Sequence, residues 1–220
     1  MPVNLDRILP TAAPLLRRML RSEQAQRERQ FAAMPRTTGR VVFLGDSITE
    51  WTAWEDWFPD LAATNRGIGG QAVGDVQRRL DSAIVDPVAV SLLIGTNDLH
   101  GLGRSTGIDD IADQCRTLVG TIRAMAPNAC LLVNSVMPRS TRFRDRIVAL
   151  NAQYRDIATA NDATYVDVFS ALADRDGAIR RDLTDDGLHL SVAGYAAWVE
   201  VLRPHLTRFA RTGNMPGVSN

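Results

Sequence analysis

The stretch 88-VAVSLLIGTND-98 decides the fold. Seven residues that are almost all apolar end abruptly on Gly-Thr-Asn-Asp. A strand with one wet face alternates apolar and polar residues, whereas a run apolar throughout is covered on both faces, as in a parallel sheet clothed by helices. The runs 41-VVFLG-45 and 130-CLLVNSV-136 have the same character. Strands are therefore expected at 40–45, 62–67, 88–94, 130–136 and, shorter, 164–168. Helices are expected near 13–33, 50–57, 73–83, 109–125, 145–161 and 191–210. The alternation predicts an α/β protein, a three-layer α/β/α sandwich on a five-stranded parallel sheet with flavodoxin-like winding.

With 220 residues and 45% hydrophobic content the chain can bury one core, which argues for one main domain. A helical segment over 1–37 should precede it and pack on the domain or on a partner. The domain itself should span 38–210, and the polar, Gly- and Pro-bearing end 211–220 should be a flexible tail. Formal net charge is zero, so the basic footprint of a nucleic-acid binder is missing. No apolar run reaches the roughly 18 residues of a membrane span, and the start lacks the basic-then-apolar order of a signal peptide. The expectation is a cytoplasmic protein whose two cysteines, Cys115 and Cys130, are reduced thiols. A homodimer is compatible with the sequence, which contains nothing that decides it.

All 25 basic residues are arginine. Without lysine there can be no Schiff-base lysine, no Ser-Lys dyad and no phosphate-loop lysine. A base for any nucleophile must then be histidine or a carboxylate.

Ligands of open parallel sheets bind beyond the carboxyl ends of the strands. Three loops there are suggestive: 45-GDS-47, 65-NRGIGGQ-71 and 95-GTND-98. Taken singly each has ordinary turn composition. Ser47 could cap the helix that follows or act as a nucleophile. A fourth stretch, 184-TDDGLHLSVAGY-195, sets Asp186 three residues before His189, close enough for one loop to join carboxylate and imidazole. Asp46 and Asp98 are expected to fix loop geometry by accepting backbone donors. Trp51, Trp54 and Phe58 recur at helical spacing and read as a core-facing stripe, with Trp51 also placed to line an acyl pocket.

In this order, GDS after the first strand, a glycine after the second, GxND after the third and DxxH before the last helix resemble the four blocks of the SGNH hydrolases, the GDSL esterases and lipases. Ile48 stands where the family name has leucine. GDSITEW, NRGIGGQ and GTND are most similar to the branch of platelet-activating-factor acetylhydrolase-like proteins and carbohydrate acetylesterases. The resemblance implies a serine esterase with Ser47 as nucleophile, His189 as general base and Asp186 as its orienting carboxylate. It also implies an oxyanion hole built from the N–H of Ser47, the N–H of Gly70 and the side-chain amide of Asn97. No metal or cofactor is implied, and the partner would be a small-molecule ester.

Two other patterns fail on context. The run 67-GIGGQA-72 fits a dinucleotide fingerprint, which normally opens the first strand-helix unit, yet a complete unit precedes it here. An α/β-hydrolase elbow needs a second glycine that 45-GDSIT-49 lacks. For substrate, 97-NDLHGLGRSTGIDD-110 and 137-MPRSTRFRD-145 should overhang Ser47, with Arg104 and Arg139 as substrate-binding candidates. Short acyl esters of polar molecules such as sugars are then expected. Longer acyl chains, or a non-catalytic role on the same fold, are the alternatives.

Overall fold

In β1 (Val41–Gly45) every residue is buried, with Val41 and Phe43 in one core and Val42 and Leu44 in the other. That alternation is the strand period of two, with both faces covered. β2 (Ala63–Gly67), β3 (Ala89–Leu93), β4 (Cys130–Asn134) and β5 (Thr164–Val166) all run parallel to it, in the order β2-β1-β3-β4-β5. This is the expected five-stranded, flavodoxin-like sheet. The computed structural model describes residues 5–103 and 105–210, with side chains from residue 18 onward. The expected tail at 211–220 lies outside the described residues.

Six helices clothe the sheet. α4 (Val73–Gln77), α5 (Leu80–Ala83), α7 (Ile108–Met125) and α8 (Arg144–Ala160) pack on the face of Val42 and Leu44. On α7 the buried residues Ile111, Cys115, Leu118, Val119 and Ile122 keep the 3.6-residue period of an amphipathic helix. α9 (Val168–Leu172) and α10 (Val192–Leu206) cover the face of Val41 and Phe43, joined by the single turn α3 (Trp54–Trp57). Trp54 stacks on Phe43 at 3.9 Å and meets the edge of Trp198 at 4.8 Å. The Trp198 indole N–H donates to Asn134 Oδ1, and the Asn134 amide donates to Ser91 and to Leu92 O, so this buried polar group is satisfied.

Three differences from the expected elements matter. The helix read at 50–57 is two single turns, α2 (Ser47–Glu50) and α3, separated by Trp51–Ala53. Its carbonyls are taken by side chains: the Asn65 amide donates to Thr49 O, Glu50 O and Thr52 O, and the Trp54 indole also donates to Thr49 O. The supposed stripe is broken there. Trp54 and Phe58 are buried, whereas Trp51 is 60% exposed and outside the core. Secondly, the first helix, α1 (Leu5–Ala33), begins earlier than expected and lies against its own chain near β2 and α5. Phe31 is buried there, with the guanidinium groups of Arg27 and Arg66 each 4.7 Å from its ring centre. Finally, α10 stops at Leu206 and gives way to a short 3₁₀ turn, Thr207–Phe209.

After β1 the chain crosses to β2 on one side, and β3 then returns to the other side of β1. The loops leaving β1 and β3 therefore diverge, opening a crevice at the carboxyl edge. Ser47 and Asn97 stand at its two sides, Asn97 on the short helix α6 (Thr96–Leu99).

Candidate active site

Asp46, not Ser47, caps α2: its carboxylate accepts the Ile48 N–H at 3.0 Å. The Ser47 hydroxyl is thereby released from the capping role and lies 3.0 Å from His189 Nε2. The His189 Nδ1 is 2.7 Å from Asp186 Oδ2. With Nδ1–H directed at the carboxylate, Nε2 is left as the acceptor for the serine proton. Asp186 Oδ1 also accepts the main-chain N–H of Leu188 and of His189, at 2.8 and 2.7 Å. Thr184 closes the loop by donating to His189 O and accepting from Gly187 N. Asp185 is exposed, and it is the Asp186 carboxylate that meets the ring.

Electrostatics follow from burial and these bonds. Burial pushes the His189 pKa down, opposed in part by the Asp186 carboxylate, and the balance lies below the ordinary histidine value. Burial acts to raise Asp186, but the donors from His189 and Leu188 outweigh it and hold its pKa below the usual carboxylate range. Asp46 and Asp98 are fully enclosed, and burial raises both to about 7. Asp98 accepts the Val73 N–H, which ties α6 to α4. Since α2 is one turn long, its dipole adds little at Ser47, and stabilisation of negative charge there falls to individual donors.

The oxyanion candidates converge. Ser47, Gly70 and Asn97 all line one cavity of about 330 Å³, together with His189. The Asn97 amide donates to Gln71 O at 2.9 Å and reaches Asp46 Oδ2 at 3.4 Å, which fixes its position beside the serine. Gly70 has a φ of +72°, and a Cβ there would come within 2.5 Å of Leu20, so both its conformation and the close approach of α1 favour glycine.

Trp51 stacks on the His189 ring at 3.9 Å and forms part of the cavity wall. Tyr195 on α10 donates to Ile48 O at 2.8 Å, fastening the helix after His189 to the turn bearing Ser47. Arg139 corrects the expectation made for it. Its guanidinium is buried, bonded to Gly187 O and Thr96 Oγ1, and is not among the residues lining the cavity, so in this structure it braces the His189 loop. Arg104 lies outside the described residues. The 137–145 loop does not line the cavity. The missing wall is supplied by α1, through Leu20, Glu23, Gln24 and Arg27. Nothing in the four motif blocks points to α1, which precedes them all. Among the described residues no group of three or more His, Cys, Asp or Glu side chains is gathered to hold a metal ion.

A serine hydrogen-bonded to an imidazole that a carboxylate orients, at the carboxyl edge of a parallel sheet, defines a serine hydrolase. Comparison with known proteins narrows the class. The model of the GDSL-like lipase/acylhydrolase family matches residues 43–197, and the chain belongs to that family, the SGNH hydrolases, as an enzyme acting on ester bonds. Platelet-activating factor acetylhydrolase IB subunit alpha2 of Homo sapiens is 26% identical over 167 residues, covering 71% of each chain. A Streptococcus pneumonia structure, provisionally described as a platelet activating factor, is 27% identical with a TM-score of 0.79 and covers 89% of this chain and 98% of its own. The acetylxylan esterase of Geobacillus stearothermophilus, solved as a catalytic mutant, shares the fold at 18% identity, with a TM-score of 0.64 and coverage of 81% and 100%.

Proposed function

We propose that this enzyme hydrolyses short-acyl esters of polar small molecules through an acyl-enzyme. The observation that carries the reading is the continuous hydrogen-bonded line from Ser47 Oγ through His189 to Asp186 at the edge of a cavity. Ser47 attacks the ester carbonyl while His189 Nε2 takes its proton. The N–H groups of Ser47 and Gly70 hold the oxyanion together with the Asn97 amide, which shares with it the hydrogen of its long 3.4 Å contact to Asp46 Oδ2. His189 returns the proton to the leaving alcohol, then activates water for deacylation, and Asp186 keeps the ring in the required tautomer.

Two features support a short acyl group on a polar alcohol. The cavity of about 330 Å³ is at the small end of ligand sites, and Leu20, Trp51, Ile68, Leu102 and Leu188 give it an apolar lining suited to an acyl group. Beside it, sharing Leu20, Gln24, Gly70 and Leu102, lies a cleft of about 520 Å³ with Arg21, Glu28, Asp75 and Arg78, suited to hydroxyl-bearing alcohols. The names of the human relative and the Geobacillus stearothermophilus enzyme both carry an acetyl group. We read α1 as an integral wall of this domain.

A series of nitrophenyl esters from acetate to palmitate, compared by kcat/KM, tests the reading. The maximum is expected at four carbons or fewer. A maximum at eight or beyond would replace it with a lysophospholipase or thioesterase. A burst of about one equivalent of alcohol under slow deacylation is expected of the acyl-enzyme.

A further inference from the structure

The family match begins at Phe43, after α1, yet α1 grips the loop that carries Gly70. The Gln24 amide donates to Gly69 O at 2.9 Å. That carbonyl belongs to the same peptide group as the Gly70 N–H, and in a planar trans peptide the two point in opposite directions. Fixing one therefore fixes the other. Gly69 is held at its other end as well: its N–H donates to Glu50 Oε2 at 2.8 Å, and Glu50 is paired with Arg27 of α1 at 3.5 Å. One turn further along α1, Glu28 accepts from the Gln71 amide at 2.8 Å, and Gln71 O in turn holds the Asn97 amide. Gln71 Oε1 is bonded to the buried Arg79, which donates to Gly45 O at the end of β1.

We infer that Gln24 is a positioning residue for the oxyanion hole, aiming the Gly70 N–H by holding the carbonyl of its own peptide group, and that α1 thereby forms part of the catalytic apparatus. The inference rests on the reading of Gly70 as an oxyanion donor. A free glycine pair at 69–70 samples many peptide orientations, and a donor turned away from the developing charge forfeits its stabilisation. The hydrogen bond from Gln24 also polarises the peptide group, which makes its N–H a better donor.

The test uses the full chain and nitrophenyl acetate. Gln24→Leu keeps the bulk and removes the donor: kcat should fall by about tenfold to a hundredfold with KM within about threefold, since only the transition state uses the donor. A boronic acid, which forms a tetrahedral adduct on Ser47, should lose affinity by a similar factor. Gln24→Glu sets a carboxylate against Gly69 O and should cost more at pH 8. Its deficit relative to wild type should shrink as pH falls towards 5, because the protonated carboxyl can donate again. Wild-type kcat in Gln24→Leu, or a loss with unchanged boronic-acid affinity and a lowered melting temperature, would overturn the inference. Ser47→Ala and Asn97→Ala run beside these variants separate the two levels. If both are impaired while Gln24→Leu is not, the positioning role alone fails; if Ser47→Ala stays active, the reading of the site fails.

Discussion

Ser47 takes its place because Asp46 occupies the capping position beside it, so two adjacent side chains divide the roles either could have filled. The same division occurs at Asp185 and Asp186, where one carboxylate is exposed and the other accepts three hydrogen bonds from the His189 ring and its own loop. Asp186→Asn should lower kcat by at least about a hundredfold, since an amide facing Nδ1 favours the wrong tautomer, whereas Asp185→Asn should stay within about threefold. Steady-state kinetics on the two variants checks this, and the reverse ranking would assign the carboxylate role to Asp185. The His189 pKa has a sign that can be read in the same assays. Its folded value lies below 6.5, so the neutral base persists into mild acid, and kcat/KM should fall only as pH drops through a midpoint under 6.5. Asp186→Asn removes the charge that opposes this depression and should move the acid limb lower still.

At the scale of elements, the interrupted segment between β1 and β2 shows how a side chain can decide where a helix stops. Asn65 takes three carbonyls that would otherwise continue the turn and also accepts the Gly67 N–H at 2.9 Å. Asn65→Ala should lower stability by about 1–3 kcal/mol in denaturant titrations. It should also reduce kcat, because Trp51 would lose the break that delivers it to His189. β1, β3 and β4 were legible because their two-faced burial leaves an apolar run, a signal that the more polar β2 and the short β5 carry weakly. The break at Trp51–Ala53 was not, since the competing donor comes from another strand and leaves no trace in local helical spacing. The same reason hid the work of Arg139: an arginine in a polar loop looks solvated until Gly187 O and Thr96 are brought around it. Ser47, Gly70 and Asn97 stand just past the ends of β1, β2 and β3, which the parallel sheet gathers at one edge, whereas Asp186 and His189 lie before α10, where only their three-residue spacing and the family resemblance singled them out.

Across the whole molecule, the sheet and its two cores form the framework, while among the described side chains of α1, from residue 18 onward, the ties to the site are mainly polar bonds, with the buried ring of Phe31 beside them. Elements with few buried apolar contacts open at lower free energy than a packed sheet. The enzyme should therefore have two thermal transitions of different kind. Initial rates should pass through a maximum and decline reversibly as α1 lifts from the glycine loop, at temperatures where far-ultraviolet circular dichroism still reports an intact sheet. Cooling should restore the full rate without refolding, and a bound boronic acid should move the decline upward. Rates that fall only together with the dichroism signal would mean that α1 melts with the rest. A working temperature set by the seating of one helix would give this hydrolase a thermal governor, slowing turnover before the protein itself is at risk.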